Sequence, residues 1–384
     1  MKIAWFCIPA YGHTNPTLAV VRELTSAGHE VFYFSFEQFR EKLQAAGAHF
    51  IPCDGCDPKM ESDDTADRIG KDVAFATELL VNSTLALDDM IAEKMNEIKP
   101  DLIVTDSVAF WGKLTAKKYG LPFVSSTTTF AFNDRSSRYM KHGLGETLRM
   151  LMKMPQINRQ LDRLRAKGYP VNSILDIVKN DNDTNTIVYT SKYFQPCADS
   201  FSDRYRFIGA SMRPIETPMV KTRSNTIYVS LGTVVNNETI YRNCITALGG
   251  KDCRVIVSRG TCTADFGELP ANIEVYDFVD QMAVLDIADV FITHCGMNSV
   301  SESLYNKVPL VMFPQTPEQG AVAKRTAELG AGVIPKNSSP KEIFYSVKKL
   351  LSEPSYKQNA AKISESFKAC GGAREAREFI ESLV

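Results

Sequence analysis

The chain has 384 residues, of which 44% are hydrophobic and 23% charged, and a formal net charge of −1. That composition is globular and large enough for two domains, and it offers no broad basic field to nucleic acid or to an anionic membrane. The apolar run Ile3–Ile8 is too short for a signal segment, ends in Pro9-Ala10-Tyr11-Gly12, and reads as a first strand. No stretch approaches the length of a membrane span, so a cytoplasmic protein without a membrane partner is expected. A helix near Asn15–Ala27 follows, with Gly28 as its stop, then a strand at His29–Phe34, a helix near Phe36–Ala46 and a short strand at Ala48–Ile51. This βαβαβ run is the signature of a doubly wound parallel sheet. Residues 53–70 read as a polar loop. Its Cys53-Asp54-Gly55-Cys56 lacks a second Cys/His pair, and its Asp-Gly centre suits a turn. The nine cysteines are otherwise scattered, as in reduced intracellular proteins, and no metal site is expected.

Further along, a long helix is predicted over Val73–Ile98, a strand at Leu102–Thr105, a helix at Ala109–Tyr119 and a strand at Phe123–Ser126. Residues 127–185 depart from the alternation and read as helices capping a cleft. Strands at Thr186–Thr190 and Arg206–Gly209 close an N-terminal domain over residues 1–213. Residues 214–225, with Pro214, Pro218, Lys221 and Arg223, read as a linker. The α/β pattern then restarts at Ile227–Leu231 and runs on to a C-terminal domain over 226–365, with segments at Glu238–Leu248, Arg254–Ser258, Ile273–Tyr276, Val290–Thr293, Val308–Phe313 and Gly332–Ile334. A helical tail over 366–384, broken at Gly371-Gly372, is expected to pack back on the first domain.

Chemistry concentrates at strand ends. Thr293-His294-Cys295-Gly296-Met297-Asn298-Ser299 follows an apolar strand and opens a helix, whose unpaired N–H groups and dipole suit a diphosphate. His294 is placed to donate to a phosphate oxygen, and Glu302 lies one turn beyond Asn298 to accept from ribose. Ser230-Leu231-Gly232-Thr233 ends another strand near the same chemistry. Phe278 and Val279 offer a ring and a backbone edge to a base, with Gln281 beside them, and core packing is the alternative for Phe278. Glu318 and Gln319 follow a further strand and can grip sugar hydroxyls, or simply favour a helix start. In the first half, His13 after the first strand and Asp106 at the end of another form a base and its orienter. The alternative is that each merely caps its own helix. Phe110, Trp111, Phe130, Phe132 and Met140 are candidates to line an acceptor pocket, with ordinary helix core as the alternative.

These residues fall in a known order. Gly-His-Thr-Asn-Pro at 12–16, Tyr-Val-Ser-Leu-Gly-Thr at 228–233 and Phe-Val-x-Gln at 278–281 come first. Thr-His-Cys-Gly-Met-Asn-Ser-x-x-Glu at 293–302 and Pro-x-x-x-Glu-Gln ending at 319 complete the set. The chain resembles the GT-B-fold UDP-glycosyltransferases, bacterial macrolide type, along nearly its whole length. The resemblance implies two Rossmann-like domains facing across a cleft and an inverting, metal-independent hexosyl transfer. The donor is a UDP- or TDP-sugar, UDP-glucose being the first choice, and no other cofactor is implied. The acceptor is a hydroxyl of a small lipophilic molecule such as a macrolide or flavonoid, and the protein a monomer or homodimer.

By the same resemblance His13 is the base with Asp106 as partner, and His294, Gly296, Asn298 and Ser299 hold the diphosphate, with Thr233 near it. Glu302 holds the ribose, Phe278, Val279 and Gln281 the uracil and ribose, and Glu318 and Gln319 the donor sugar. Two departures stand out. Phe278 occupies a position where Trp is frequent, and Asp280 one where Pro is common, which implies weaker stacking and a less rigid loop. A nucleotide-sugar epimerase or a catalytically inactive activator protein of the same fold are the rival readings. The absence of G-x-G-x-x-G after the first strand counts against a dehydrogenase.

Overall fold

The computed structural model describes residues 1–55, 72–139, 144–174, 177, 180, 182–232 and 237–384, with the side chains of 144–151 outside that set. The described residues divide into two compact units. Unit 1 comprises Met1–Tyr189, Cys197–Ser211 and Gly371–Val384; unit 2 comprises Thr190–Pro196 and Met212–Cys370. None of the described helices is long and apolar enough to cross a membrane.

Unit 1 is built on β1 (Lys2–Phe6), α1 (Tyr11–Ser26), β2 (Glu30–Ser35), α2 (Arg40–Ala45), β3 (His49–Pro52), α3 (Val73–Ile98), β4 (Leu102–Asp106), α4 (Phe110–Tyr119), β5 (Phe123–Thr127), α5 (Leu144–Ala166), β6 (Thr186–Val188) and β7 (Tyr205–Phe207). Its sheet is all parallel, in the order β3-β2-β1-β4-β5-β6-β7. Alternate residues of β1 feed opposite faces, as a pleated strand requires. Ile3 and Trp5 pack with Val20, Val21 and Leu24 of α1, and Trp5 stacks on Tyr33 at 5.6 Å. Ala4 and Phe6 pack with Leu87, Ile91 and Met95 of α3, and Phe6 stacks on Phe34. Helix α1 starts a turn before the expected Asn15, with His13 and Thr14 both bonding Ala10 O, so Pro16 lies inside it and His13 in its first turn. The segment read as one helix over 36–46 is a short 3₁₀ turn, Glu37–Phe39, followed by α2.

Unit 2 contains β8 (Thr226–Ser230), α6 (Glu238–Leu248), β9 (Arg254–Ser258), β10 (Ile273–Tyr276), α7 (Gln281–Ile287), β11 (Val290–Thr293), α8 (Met297–Tyr305), β12 (Leu310–Met312), α9 (Pro317–Glu328), β13 (Gly332–Val333), α10 (Pro340–Ser352) and α11 (Pro354–Lys368). Its parallel sheet runs β10-β9-β8-β11-β12-β13. Val229, Val257 and Ile292 meet Tyr241 and Cys244 of α6 and Ile343 and Val347 of α10 on one face, while Tyr228 stacks on Phe291 at 4.6 Å on the other. The excursion Thr190–Pro196 joins this unit: Arg325 donates to the carbonyls of Tyr193 and Phe194, and the Phe194 ring meets Phe367 edge-on at 5.7 Å. The chain ends with α12 (Gly372–Glu381), which returns to unit 1, where Ala376, Phe379 and Ile380 complete the core against α1.

Both sheets follow a strand order that reverses direction beside the first strand. The reversal falls between β1 and β4 in unit 1 and between β8 and β11 in unit 2. At such a switch point the loops beyond the carboxyl ends part and leave a crevice for ligand.

Candidate functional site

At the switch point of unit 1, β1 leads into α1 and so to His13, and Asp106 is the last residue of the neighbouring β4. Nδ1 of His13 lies 2.7 Å from Oδ2 of Asp106. Asp106 is buried, and its other oxygen accepts from the Val108 N–H at 2.9 Å, which fixes the carboxylate. Thr128, just past β5, places its hydroxyl 3.2 Å from the same Nδ1. A carboxylate on Nδ1 holds the proton there and presents Nε2 as the basic nitrogen. His13 is therefore no cap residue, and the Asp106 side chain serves both His13 and its own following turn. Sequence reasoning missed Thr128, whose place follows only from the adjacency of β4 and β5.

At the switch point of unit 2, Ser230 of β8 is paired with Thr293 of β11, so the turns after them are neighbours. The His294 ring lies between two glycines. A Cβ on Gly232 would stand 2.6 Å from its Cε1, and one on Gly296 2.9 Å from its Nε2. Gly232 has φ +78°, and Cys295 turns the chain at φ 72° before Gly296 opens α8. Gly296 has no side chain with which to cap α8, and the N-terminus of a helix suits an anion. Nδ1 of His294 is buried with no hydrogen-bond partner among the described residues, and burial lowers the ring from 6.5 to about 4, so it is neutral at pH 7. Asn298 and Ser299 occupy this first turn, half-buried. Thr233 lies outside the described residues.

The residues expected to meet the nucleoside are more heavily wired than the sequence implied. Glu302 of α8 is buried, and its carboxylate receives Nε of Arg213 at 3.2 Å, Nη2 of Arg213 at 3.3 Å and Nε2 of Gln281 at 2.6 Å. Burial works to lower Arg213, and the Glu302 charge beside it outweighs this, leaving the guanidinium above its ordinary value. Gln281 also donates to Ser299 Oγ and accepts from the Tyr228 hydroxyl at 3.2 Å, so its amide is held at both ends. Asp280 caps α7 through the N–H groups of Met282 and Ala283, and its other oxygen takes those of Glu216 and Thr217 at 2.7 and 2.9 Å. The loop expected to be slack for want of proline is thus stapled by an aspartate. Next to it the Phe278 ring is 64% exposed, an open face of the kind a base needs, and Val279 is half-buried.

The remaining candidates are dispersed. Gln319 spends its side-chain oxygen on the N–H groups of Gln315 and Thr316 in a capping box, while Glu318 is exposed in the first turn of α9. Trp111 packs in the core with Phe34 and Phe36, and Phe110 against the cluster of α3 and α5. Phe130 is buried, Phe132 is half-buried, and Met140 lies outside the described residues.

The chain is similar to known proteins. The family described as "Erythromycin biosynthesis protein CIII-like, C-terminal domain" matches residues 242–381. The NDP-glycosyltransferase YjiC of Bacillus subtilis (strain 168) is 32% identical over 400 residues, covering 100% of this chain and 97% of the relative. An uncharacterised UDP-glucosyltransferase of the same organism, YdhE, is 31% identical over 403 residues, covering 98% and 96%. Among solved structures, the glycosyltransferase of kitacinnamycin superposes with a TM-score of 0.85 at 25% identity, covering 100% of this chain and 98% of that one. Fold and relatives together define a glycosyltransferase of the GT-B fold. The chain belongs to the UDP-glycosyltransferase family.

Proposed function

We propose that the chain moves a hexose, glucose first, from a uridine diphosphate donor to a hydroxyl of a small lipophilic acceptor, with inversion at the anomeric carbon. The 2.7 Å contact between His13 and the buried Asp106 carries this reading. An alcohol is a poor nucleophile at neutral pH. Nε2 of His13 takes its proton as the oxygen attacks the anomeric carbon, and Asp106 stabilises the imidazolium that forms, a contribution of roughly 10²–10⁴ in rate. The departing diphosphate gains negative charge. The N–H groups that open α8 and the His294 ring are preorganised donors for that charge, and this arrangement needs no metal. Glu302 holds a ribose hydroxyl, and Phe278 stacks on the base.

The test compares His13→Ala with the native chain, using UDP-glucose and a panel of phenolic and macrolide alcohols. Product is read by mass, and UDP affinity by calorimetry. The variant is expected to lose transfer by at least about a hundredfold while binding UDP within about threefold of the native chain. Retained transfer would refute the base. Isomerised sugar formed without acceptor would refute transfer in favour of epimerisation.

A further inference from the structure

Resting on the donor-site reading above, we propose that Arg213 sets how the protein treats the 2′-hydroxyl of its nucleotide, making it tolerant of 2′-deoxyribose donors. The argument is one of hydrogen-bond capacity. A carboxylate accepts about four hydrogen bonds, two on each oxygen. On Glu302, Oε2 takes Gln281 at 2.6 Å and Oε1 takes Nε of Arg213 at 3.2 Å, while Nη2 of Arg213 lies between the two oxygens, 3.2 Å from Oε1 and 3.3 Å from Oε2. Three donors thus leave one acceptor position on the carboxylate among the described residues. A ribose that used both hydroxyls on this carboxylate would need two.

Arg213 is not a stray partner that a sugar hydroxyl would displace. It meets both oxygens of a carboxylate that is itself only 6% exposed. Charge-assisted bonds of this kind are about twice as strong as neutral ones, and removing a cation from a buried carboxylate leaves an uncompensated charge. Its segment is also anchored three and four residues on, where Asp280 takes the Glu216 and Thr217 N–H groups. Gln281 cannot swing away cheaply either, since Tyr228 and Ser299 hold its amide. The ribose therefore meets a Glu302 that takes one hydroxyl. The 3′-hydroxyl, which ribose and 2′-deoxyribose share, satisfies it.

The experiment measures the affinities of UDP and 2′-deoxy-UDP, which share base and diphosphate, by calorimetry on the native chain and on Arg213→Ala and Arg213→Lys. The native chain is expected to bind the two within about threefold. Arg213→Ala frees two acceptor positions and should favour UDP by about tenfold or more, the order of one hydrogen bond to a charged group. Arg213→Lys keeps the charge with fewer bonds and should fall between. A native preference for UDP of tenfold or more overturns the proposal even if Arg213→Ala fails to fold. So does an unchanged ratio in folded variants. Failure of the folded native chain to bind either nucleotide would instead overturn the donor-site reading, and this proposal with it.

Discussion

A Cβ added at Gly232 or at Gly296 would press on the same imidazole, yet the two substitutions differ in kind. Gly232 has φ +78°, where an L residue is strained, and its new methyl would stand 2.6 Å from His294 Cε1. Gly296 has φ −58°, so the backbone tolerates alanine and only the ring at 2.9 Å must give way. Gly232→Ala is therefore expected to cost about 1–3 kcal/mol in urea unfolding and to weaken UDP binding. Gly296→Ala should keep near-native stability while still weakening UDP, and equal stability losses in the two would contradict the cradle. His294 itself makes a prediction about pH. Above pH 6.5 the ring is neutral folded or unfolded. Between 6.5 and about 4 only the unfolded state takes the proton, so stability falls with acid by on the order of 3 kcal/mol. The thermal midpoint of His294→Asn should decline less than that of the native chain between pH 7 and 4.5, and parallel declines would show that the ring titrates normally.

Elements explain why part of this was legible and part was not. Helix α3 occupies the expected Val73–Ile98, because a buried stripe of Leu80, Leu87, Ile91, Met95 and Ile98 marks both period and length, and Asp72 caps its start. His13, Asp106 and His294 were legible because strand ends in an open parallel sheet are where side chains meet. Helix α1 begins a turn before the expected Asn15, so Pro16, a residue that suits a first turn, stands inside the helix, where it has no N–H to give. Arg213 could not be read at all: it lies in a polar, proline-bearing stretch, and only tertiary closure brings it to Glu302. Asp280 was visible, and its meaning was not, since the N–H groups it binds lie some 63 residues earlier. Burial pushes that carboxylate up, and four backbone N–H groups outweigh it and leave it below its ordinary value. Its stabilising contribution is thus present above the ordinary carboxylate range and is lost as pH falls through the lowered value. Asp280→Ala should cost about 1–2 kcal/mol at pH 7 through the lost cap of α7. It should also speed amide exchange at Glu216 and Thr217, and unchanged exchange there would show that the staple is idle.

At the scale of the whole chain, four crossings between units make neither unit a continuous stretch, and this has a consequence for folding. Unit 1 draws its last core residues from the far end of the sequence. Ala376 and Ile380 are fully buried and Phe379 nearly so, Gly372 N–H bonds Ile208 O, and Glu381 meets Nε2 of His29 at 2.8 Å. Burying a Phe and an Ile contributes about 3–6 kcal/mol together, against a typical domain stability of about 5–15 kcal/mol. A chain ending at Cys370 keeps every residue of unit 2 and every candidate donor contact, but it strips α12 from α1 and bares Val20, Val21 and Leu24. Calorimetric unfolding of that truncated chain should show a transition lowered by 10 °C or more, roughly what such a loss implies for a domain of this size. UDP should still raise the transition that belongs to unit 2, because a ligand stabilises only the unit that binds it. Loss of both transitions together would mean that the two units unfold as one cooperative block. An unshifted first transition would mean that α12 contributes little, despite the burial of Phe379 and Ile380.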